Sequence, residues 1–466
     1  MIENTAIITR EELNALFGEE HCHNLPAQCT GISTDTRYIK PGALFIALSG
    51  ERFDGHDHVR TAVDKGACAV MVIHDKAKIF GDLPHIAVAD TLFALGELAG
   101  FHRRKFSLPV IAIAGAAGKT STKELIAHCC SAQWHTVKTE ANYNNRIGVP
   151  LTLLQLHQDH KAAVIEIGTN EPGEIERLAH IVAPTVGVIT NIGKEHLEKL
   201  RDLDGVETEE TALFRFLEKT QGISVINLDD ERLQKYTYLD KAITFSTQSN
   251  ADVTASYEYD SLLHPHLTVS YKQVTSQSSL QTIGLTAVLN ATAACAACIA
   301  AGMELQTILA ALASYVPKET HGYARMVLSS LKGIMILNDC YNANPESMTL
   351  ALQTLHEYPT HGKKIAVLGD MKELGTAAQH EHNEILTLAI RYADYCIVLG
   401  DFFRESVQMM AQTDTILTVQ THEECAESIV HLCRSGDALL IKGSRGMAME
   451  NVLLSLHAHY GMNTEQ

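Results

Sequence analysis

The sequence predicts an α/β protein with three domains, and two observations carry this prediction. At 466 residues the chain is too long for one hydrophobic core, since domains usually contain about 100–200 residues. Short apolar runs alternate with helical patterns along most of the chain, which is typical of parallel sheets covered by helices. We predict that the domains comprise residues 1–106, 107–315 and 316–466.

The first predicted domain is a small α/β unit. Its strand candidates, separated by turn signals, are Ala43–Leu48, Cys68–Ile73 and His85–Val88. The pairs His21/His23 and His56/His58 stand in loop-like stretches without a matching set of metal ligands. We therefore expect most of the 24 histidines of the chain to be solvated.

The second predicted domain opens with the apolar strand Val110–Ala114. Further strand candidates are Ala162–Ile167 and Thr185–Thr190, and the helical patterns between them predict βαβ units and a mostly parallel sheet. The stretch Ala251–Ser279 is rich in Ser, Thr and Tyr and alternates in polarity. That pattern predicts an antiparallel addition to the sheet.

The third predicted domain is a doubly wound, Rossmann-like sheet. Its strand candidates are Gly333–Leu337, Ile365–Leu368, Cys396–Leu399 and Ala438–Ile441. Each of them runs into polar or glycine-bearing residues, and ligands of open α/β sheets bind beyond the carboxyl ends of the strands. We therefore expect these four strand ends to line one face of a cleft.

The composition favours a soluble enzyme and argues against two classes of partner. Hydrophobic residues make up 46% of the chain and charged residues 20%, which is ordinary for a globular protein. A net charge of −18 argues against general binding to nucleic acid or to anionic membranes. We find neither a secretory signal nor the roughly 20 apolar residues of a membrane span. Eleven scattered cysteines indicate reduced thiols, so we expect a cytoplasmic protein.

A phosphate-binding turn follows the first strand of the second domain. It consists of Gly115, Ala116, Ala117, Gly118, Lys119, Thr120 and Ser121. The glycines let backbone N–H groups approach phosphate oxygens, and the new helix presents its positive end to the anion. Lys119 is expected to contact the terminal phosphates of ATP, and the Thr120 hydroxyl to bind Mg²⁺. The turn is of the shorter kind, because Ile113 stands where longer phosphate loops have Gly or Ala.

Two further residues are candidate metal ligands. Glu166 places a carboxylate inside an apolar strand, where a charge needs a partner. That partner is either a metal or an ion-paired side chain. His196 follows the end of another predicted strand, and is either a nearby ligand or a solvated residue at the start of a helix.

Two polar runs follow predicted strands. Thr139–Pro150 holds three asparagines around a tyrosine, which either bind a polar substrate or form an Asx-rich turn. Asn338–Pro345 comes directly after a buried strand and is either a ligand-binding loop or a turn that caps a helix.

Together these motifs resemble the Mur ligase family, which builds the peptide of bacterial cell-wall precursors. The resemblance rests on the phosphate turn and on Asn142–Pro150, Glu166–Ile175, Thr190–Leu197, Tyr341–Met348, Val367–Gly375 and Lys442–Arg445. The segments Ser33–Arg37 and Arg52–Gly55 add to it, so that it covers nearly the whole chain.

The resemblance implies an N-terminal UDP-sugar-binding domain, a central ATPase domain and a C-terminal Rossmann-like domain. It implies an ATP-dependent ligase that phosphorylates a carboxylate and then joins the acyl group to an amine. The runs Tyr341–Pro345 and Val367–Gly375 resemble one branch of the family. The substrates of that branch are UDP-N-acetylmuramoyl-tripeptide and D-alanyl-D-alanine, and the family usually works as a monomer.

The resemblance also implies roles for single residues. The Mg²⁺ ligands would be Thr120, Glu166 and His196. The nucleotide contacts from the third domain would be Arg325 and Asp339. The acceptor side, where the amine substrate binds, would be lined by Tyr341, Asn342 and Asn344. The residues near the UDP-sugar peptide would be Ser33, Arg37, Asn144, Asn145 and Asn170.

Three departures from the family pattern keep alternatives open. Glu210 stands where the family usually has a lysine that is carbamylated to carry a carboxylate. We hypothesise that Glu210 supplies that anion as a catalytic residue; the alternative is an exposed acidic helix start. Asn338 replaces a typical Asp, and Thr286–Ala287 replace an aromatic or His plus Asn. The rival functions are another ligase of the Mur superfamily and a catalytically weakened, nucleotide-binding paralogue.

Overall fold

The computed structural model describes residues 2–50, 53–317, 324–410 and 414–461, which form three α/β units in chain order. Each unit is built around a mainly parallel sheet, and within the described residues these sheets contain five, nine and six strands. The predicted α/β class is confirmed. Every helix of the described chain is too short or too polar to cross a bilayer.

The N-terminal unit holds a small sheet and two ribbons of two strands each. Its elements are β1 (Ile7–Thr9), α1 (Arg10–Phe17), β2 (Cys22–His23), β3 (Gln28–Thr30), β4 (Ile32–Ser33), β5 (Leu44–Ile46), β6 (Ser49–Gly50), β7 (Phe53–Asp54), α2 (Val59–Asp64), β8 (Ala69–Ile73), α3 (His74–Ala77), β9 (His85–Val88) and α4 (Thr91–Arg103). The main sheet has the order β2-β9-β8-β5-β4 and is parallel except for the β2–β9 pair. Its central strands are continuous apolar runs because both faces of this sheet are covered.

His56 is an exception to the expectation that most histidines are solvated, because it is buried. Its side chain lies in the interior, with ring Nδ1 2.6 Å from Asp54 Oδ1. The backbone N–H of Ile73 donates to its Nε2 at 3.1 Å. Both ring nitrogens have polar partners, so the ring can leave water at little cost.

The central unit carries the longest sheet. Its elements are β10 (Val110–Ala114), α5 (Lys119–Ser131), β11 (Thr136–Lys138), α6 (Gly148–Leu153), β12 (Ala162–Glu166), α7 (Glu174–Val182), β13 (Val186–Ile189), α8 (Leu197–Leu200), α9 (Leu203–Glu210), α10 (Ala212–Thr220), β14 (Ile223–Asn227), β15 (Ala242–Ser246), β16 (Val253–Tyr259), β17 (Pro265–Tyr271), β18 (Val274–Ser279), α11 (Gly284–Ala300) and α12 (Leu305–Ser314). The strand order is β11-β12-β10-β13-β14-β15-β16-β17-β18. The pairs β16–β17 and β17–β18 are antiparallel, which confirms the predicted addition.

The strand order brings the candidate residues of this unit together. Strand β10 lies between β12 and β13 and is parallel to both. The carboxyl ends of the three strands therefore meet at one edge of the sheet. The phosphate turn leaves β10 there, Glu166 ends β12, and the segment that carries His196 follows β13.

The C-terminal unit is the second doubly wound sheet. Its elements are β19 (Val327–Leu331), β20 (Ile334–Asp339), α13 (Pro345–Glu357), β21 (Lys364–Gly369), α14 (Ala378–Tyr392), β22 (Tyr395–Leu399), α15 (Asp401–Gln408), β23 (Ile416–Val419), α16 (His422–Leu432), β24 (Ala438–Lys442) and α17 (Glu450–His459). The strand order is β19-β20-β24-β21-β22-β23, and the β19–β20 pair alone is antiparallel among the described strands. Asp339 and Lys442 are paired in the register of β20 and β24, so both lie at the carboxyl edge.

Candidate active site

A cavity of about 380 Å³ lies where the carboxyl edges of the central and C-terminal sheets face each other. The central unit lines it with Ala116–Ser121, Glu166, Asn170 and the segment after β13. The C-terminal unit lines it with Arg325, Asp339, residues 341–344, Lys372, Glu373 and the segment after β24. Of the four predicted strand ends of the third unit, those of β20 and β24 are thus at the cavity, and the segment after β21 reaches it through Lys372 and Glu373. The end of β22, Gly400–Asp401, is not among the described residues that line it.

The phosphate turn needs glycine at both predicted positions. Gly115 and Gly118 have φ values of 113° and 82°, in the region that favours glycine. A Cβ atom on Gly115 would lie 2.4 Å from Thr190 Oγ1, and one on Gly118 would lie 2.5 Å from Asn290 Oδ1. The turn is held from β13 as well, because the N–H of Ala117 donates to Asn191 Oδ1 at 2.9 Å.

Lys119, the first residue of α5, already has an anionic partner. Its Nζ donates to Glu195 Oε2 at 2.9 Å and also to the carbonyl oxygen of Gly115. Burial alone would lower the pKa of Lys119, but the carboxylates of Glu195 and Glu210 outweigh it and raise that pKa above its ordinary value. Lys119 is therefore a permanent cation that a phosphate group can share with Glu195.

Glu210 lies beneath the phosphate turn rather than on an exposed helix. It is the last residue of α9, and its side chain is fully buried. The N–H of Gly115 donates to Glu210 Oε2 at 2.7 Å. Burial, and after it the nearby Glu195 carboxylate, raise the pKa of Glu210 well above its ordinary value, against the opposing effect of Lys119. The alternative of an exposed acidic helix start is wrong.

Glu166 ends β12 with its carboxylate buried at the cavity wall. Asn144 Nδ2 donates to Glu166 Oε1 at 2.8 Å, while Oε2 has no hydrogen-bond partner among the described residues. A buried carboxylate oxygen without a donor is costly. No ion pair of the described chain includes Glu166, so this oxygen is available to a cation in the cavity.

Thr120 and His196 both contact the C-terminal unit. Arg325 Nη2 donates to Thr120 Oγ1 at 2.9 Å. The ring Nδ1 of His196 lies 2.7 Å from Glu373 Oε2, and this hydrogen bond is the main reason why the pKa of Glu373 is lowered. These contacts, made across the cavity, show that the two units are closed on each other.

The acceptor-side residues predicted from the sequence lie at the end of β20. The guanidinium of Arg325 lies 4.1 Å from the ring centroid of Tyr341, a cation–π contact. Asn342 Oδ1 accepts the N–H of Arg445 at 3.1 Å. Asn344 caps α13, with its Oδ1 accepting the N–H of Ser347 at 2.9 Å. The polar run is therefore both a helix cap and a wall of the cavity.

Three predicted substrate residues are not among the described residues that line the cavity. Ser33 is buried in the N-terminal unit, and Arg37 is an exposed side chain paired with Asp35 at 2.6 Å. Asn145 lies in the turn before α6, with its Oδ1 accepting the N–H of Gly148 at 2.9 Å. The predicted Arg52–Gly55 segment is described from residue 53 onward, so Arg52 lies outside the described residues.

Four polar side chains that line the cavity, Asn191, Lys194, Glu195 and Glu373, are not among the candidates predicted from the sequence. Glu195 binds Lys119, Asn191 holds the phosphate turn, and Glu373 binds His196. Lys194 joins the two units, because its Nζ donates to Glu381 Oε1 at 2.7 Å. The sequence held one signal for two of them, because Lys194 and Glu195 directly precede the candidate ligand His196 after a predicted strand.

Comparison with protein families gives three matches that together cover most of the chain. The family model described as the Mur ligase middle domain matches residues 113–298. The Mur ligase glutamate ligase domain matches residues 324–445, and the Mur ligase catalytic domain matches residues 28–103. The UDP-N-acetylmuramoyl-tripeptide–D-alanyl-D-alanine ligase of Bacillus subtilis is 32% identical over 430 residues, which cover 91% of this chain and 93% of that protein.

The chain belongs to the Mur ligase family. The predicted resemblance is confirmed, and with it an ATP-dependent, ADP-forming amide ligase. The Escherichia coli ligase of the same name is also 32% identical, with coverage of 91% of this chain and 93% of the relative.

Solved structures of this family superpose on the ligase over nearly its full length. The crystal structure of MurF from Acinetobacter baumannii aligns with a TM-score of 0.88 at 30% identity, covering 97% of this chain and 99% of the other. MurF of Thermotoga maritima in complex with ADP aligns with a TM-score of 0.81 at 26% identity, covering 92% of this chain and 97% of the other.

Proposed function

We propose that this ligase joins D-alanyl-D-alanine to UDP-N-acetylmuramoyl-tripeptide, in peptidoglycan precursor synthesis. The main support for this proposal is the closed cavity, in which an ATP-type phosphate turn lies opposite the polar run 341–344 of the C-terminal unit. The relatives that cover nine-tenths of the chain bear the name of this reaction. The Y-N-A-N-P run at residues 341–345 supports this branch of the family over its siblings.

The first step transfers the γ-phosphoryl group of ATP to the terminal carboxylate of the tripeptide, and ADP leaves. The positive end of α5 and the N–H groups of the turn hold the phosphates. The ammonium of Lys119 moves part of its hydrogen bonding from Glu195 to the phosphoryl oxygens. Arg325, adjacent to Thr120, adds a second fixed cation at the same place. Catalysis is then mostly positioning and electrostatic stabilisation.

The oxygen atoms of Thr120 and Glu166 fit a magnesium ion, and we propose that His196, which lines the same cavity and has only nitrogen to offer, completes the site that the family resemblance implies. Oxygen donors suit Mg²⁺, and the unpartnered Oε2 of Glu166 is an oxygen in need of a cation. When bound, the ion would neutralise charge on the phosphates. In the closed structure Thr120 and His196 bind Arg325 and Glu373, so we propose that nucleotide binding loosens these two contacts.

In the second step the amine of D-alanyl-D-alanine attacks the acyl carbonyl carbon. A C–N bond forms, phosphate leaves, and the amine loses a proton. We propose that Tyr341, Asn342 and Asn344 line this acceptor side, and that Asn144 and Asn170 lie on the side of the UDP-sugar peptide. The contacts between the two units exclude water from the acyl phosphate, which would otherwise hydrolyse. Ser33, Arg37 and Asn145 stay predictions, with the first two in the unit assigned to UDP.

We propose that Glu210 acts as a positioning residue that holds the phosphate turn. Its hydrogen bond to the Gly115 N–H and its raised pKa favour this role over direct supply of an anion. The substitution Glu210→Gln separates the two hypotheses, because Gln keeps an acceptor for Gly115 but no charge. Unchanged turnover at every Mg²⁺ concentration supports positioning, whereas a higher Mg²⁺ requirement supports the anion hypothesis.

We also propose the domain boundaries 1–106, 107–315 and 316–466, a cytoplasmic location and a monomer. Each of the three main sheets falls inside one of these ranges. All eleven cysteines are free, although Cys29 and Cys68 have sulfur atoms 3.4 Å apart, and free thiols are typical of a reducing compartment. The membership of a family that usually works as a monomer supports a monomer here.

Phosphate release is the decisive measurement. The assay contains ATP, Mg²⁺, UDP-N-acetylmuramoyl-tripeptide and D-alanyl-D-alanine, and each component is omitted in turn. We expect release only when all are present, with ligated product equal to the phosphate released. Release that needs a single amino acid in place of D-alanyl-D-alanine would assign the chain to another branch. Nucleotide binding without release would assign it to the weakened paralogue.

A further inference from the structure

Three histidine rings meet at the edge of the central sheet opposite the catalytic cavity. His135 precedes β11, and His157 and His160 precede β12, the parallel neighbour of β11. The amino ends of the two strands bring these rings together. Glu166 is the last residue of β12 and lies roughly 13 Å from its first residue, Ala162, at about 3.3 Å per residue. None of the three histidines lines the catalytic cavity in the described chain.

The three rings are in mutual contact. One ring nitrogen from each lies within 4.8 Å of those of the other two. The ring centroids of His157 and His160 are 3.9 Å apart, and those of His135 and His160 are 4.4 Å apart. In a tetrahedral site with metal–nitrogen bonds of about 2.0–2.1 Å, the ligand nitrogens are about 3.4 Å apart, so small rotations of these side chains would bring the three nitrogens onto one face of such a site, with a water molecule in the remaining position.

The backbone holds the cluster in place. The N–H of Lys161 donates to the carbonyl oxygen of His135 at 2.8 Å, which ties the two segments together. The N–H of His157 donates to His160 Nδ1 at 3.2 Å, and that of Asp159 donates to His157 Nδ1 at 3.4 Å. Both of these bonds are long, so they are weak competitors of a metal–nitrogen bond. The Asp159 carboxylate, 3.6 Å from His157 Nδ1, adds negative charge beside the cluster.

We propose that His135, His157 and His160 form a binding site for a divalent transition-metal ion of the zinc class, separate from the magnesium site. Imidazole nitrogens favour Zn²⁺, Co²⁺, Ni²⁺ and Cu²⁺, whereas Mg²⁺ prefers oxygen ligands. The bound ion would fasten the end of the α6–β12 connection to the edge strand β11.

The test is calorimetric titration of Zn²⁺ into the full chain in excess Mg²⁺, for the wild type and for His135→Gln and His157→Gln. We expect one Zn²⁺ site that weakens by about tenfold or more in both variants, since even loss of an indirect ligand partner costs that much. Zn²⁺ should also raise the melting temperature of the wild type and lose this effect in the variants. Ligase activity with Mg²⁺ should be unchanged in all of them.

The matched control is His23→Gln. His23 stacks on His85 with ring centroids 4.5 Å apart, a pair that lacks a third ring among the described residues. Wild-type zinc affinity in His23→Gln, with loss in the two cluster variants, supports the site. Equal affinity in all four proteins overturns it, as does equal loss in the control. Because His135 is exposed, its variant keeps the interior packing intact. An unchanged melting temperature without zinc verifies that this variant is folded.

Discussion

The central and C-terminal sheets present their carboxyl edges to the same cavity, but the buried charged side chains at the two edges differ in whether they have partners. Below the central edge, one oxygen of Glu166 is buried without a hydrogen-bond partner among the described residues, and burial together with the neighbouring Glu195 carboxylate raises the pKa of Glu210. At the C-terminal edge, Lys442 Nζ binds Asp339 Oδ2 at 2.6 Å. There too, the buried Asp370 accepts the N–H of Phe403 at 3.1 Å.

This difference separates a binding edge from a supporting edge. Unpartnered buried carboxylates destabilise the free protein, and they are found where a ligand or a cation binds to them. Paired charges instead fix the backbone that carries residues 341–344. The central edge is therefore where we expect substitutions to alter chemistry, and the C-terminal edge is where we expect them to alter stability.

The largest effect is expected at the central edge for Lys119→Met. Removal of the ammonium should lower kcat by about 10³-fold, because a fixed cation at the transferring phosphoryl group is lost. Phosphate release with both substrates measures this change. Lys199→Met, which removes an exposed lysine on α8, is the matched control and should keep wild-type activity. Activity in Lys119→Met that is close to that of the control would contradict the assignment.

The next effect is expected at the C-terminal edge for Asp339→Ala. Lys442 is almost fully buried, so the substitution leaves its charge without a counterion. The free energy of unfolding should fall by about 3 kcal/mol or more. Chemical denaturation measures this, with the double variant Asp339→Leu/Lys442→Met as the control. The double variant should recover part of the loss, and equal destabilisation in both proteins would show that the ion pair is not the cause.

A smaller effect is expected for Glu166→Gln. Loss of this negative charge should weaken the magnesium site and lower kcat by about 10²-fold at fixed Mg²⁺. The apparent affinity for Mg²⁺, obtained from turnover at increasing concentration, should fall in parallel. Glu198→Gln, an exposed substitution on α8, serves as the control. Reduced turnover that no Mg²⁺ concentration alters would indicate a structural role for Glu166.

The smallest effect is a change in pH dependence for Glu210→Gln. Above the ordinary glutamate pKa of 4.5, the unfolded chain releases a proton that folded Glu210 retains, because the pKa is raised in the folded state. The contribution of Glu210 to stability should therefore be greatest at low pH and fall as pH rises, until the raised pKa is passed. Urea unfolding between roughly pH 5 and 8 should show a shallower decline in Glu210→Gln. Parallel pH profiles for the two proteins would mean that Glu210 is ionised in the fold.

Much of the fold followed from local patterns. The strands β9 and β10 were predicted with their observed bounds, because continuous apolar runs flanked by turn residues mark strands covered on both faces. The phosphate turn was equally clear, since its glycines are required by backbone geometry within a few residues. His56 was missed because its burial depends on Asp54 and on Ile73, a residue of another strand.

The sequence by itself determined the phosphate turn, the alternation of strands and helices, and the membership of the Mur ligase family. Only the tertiary structure decided which charges lie around that turn. Glu195 and Glu210 meet Lys119 and Gly115 across 76 and 95 residues of chain, and Arg325 reaches Thr120 across 205. Backbone conformation is set by near neighbours, whereas the environment of a buried charge is set by whatever the fold packs against it.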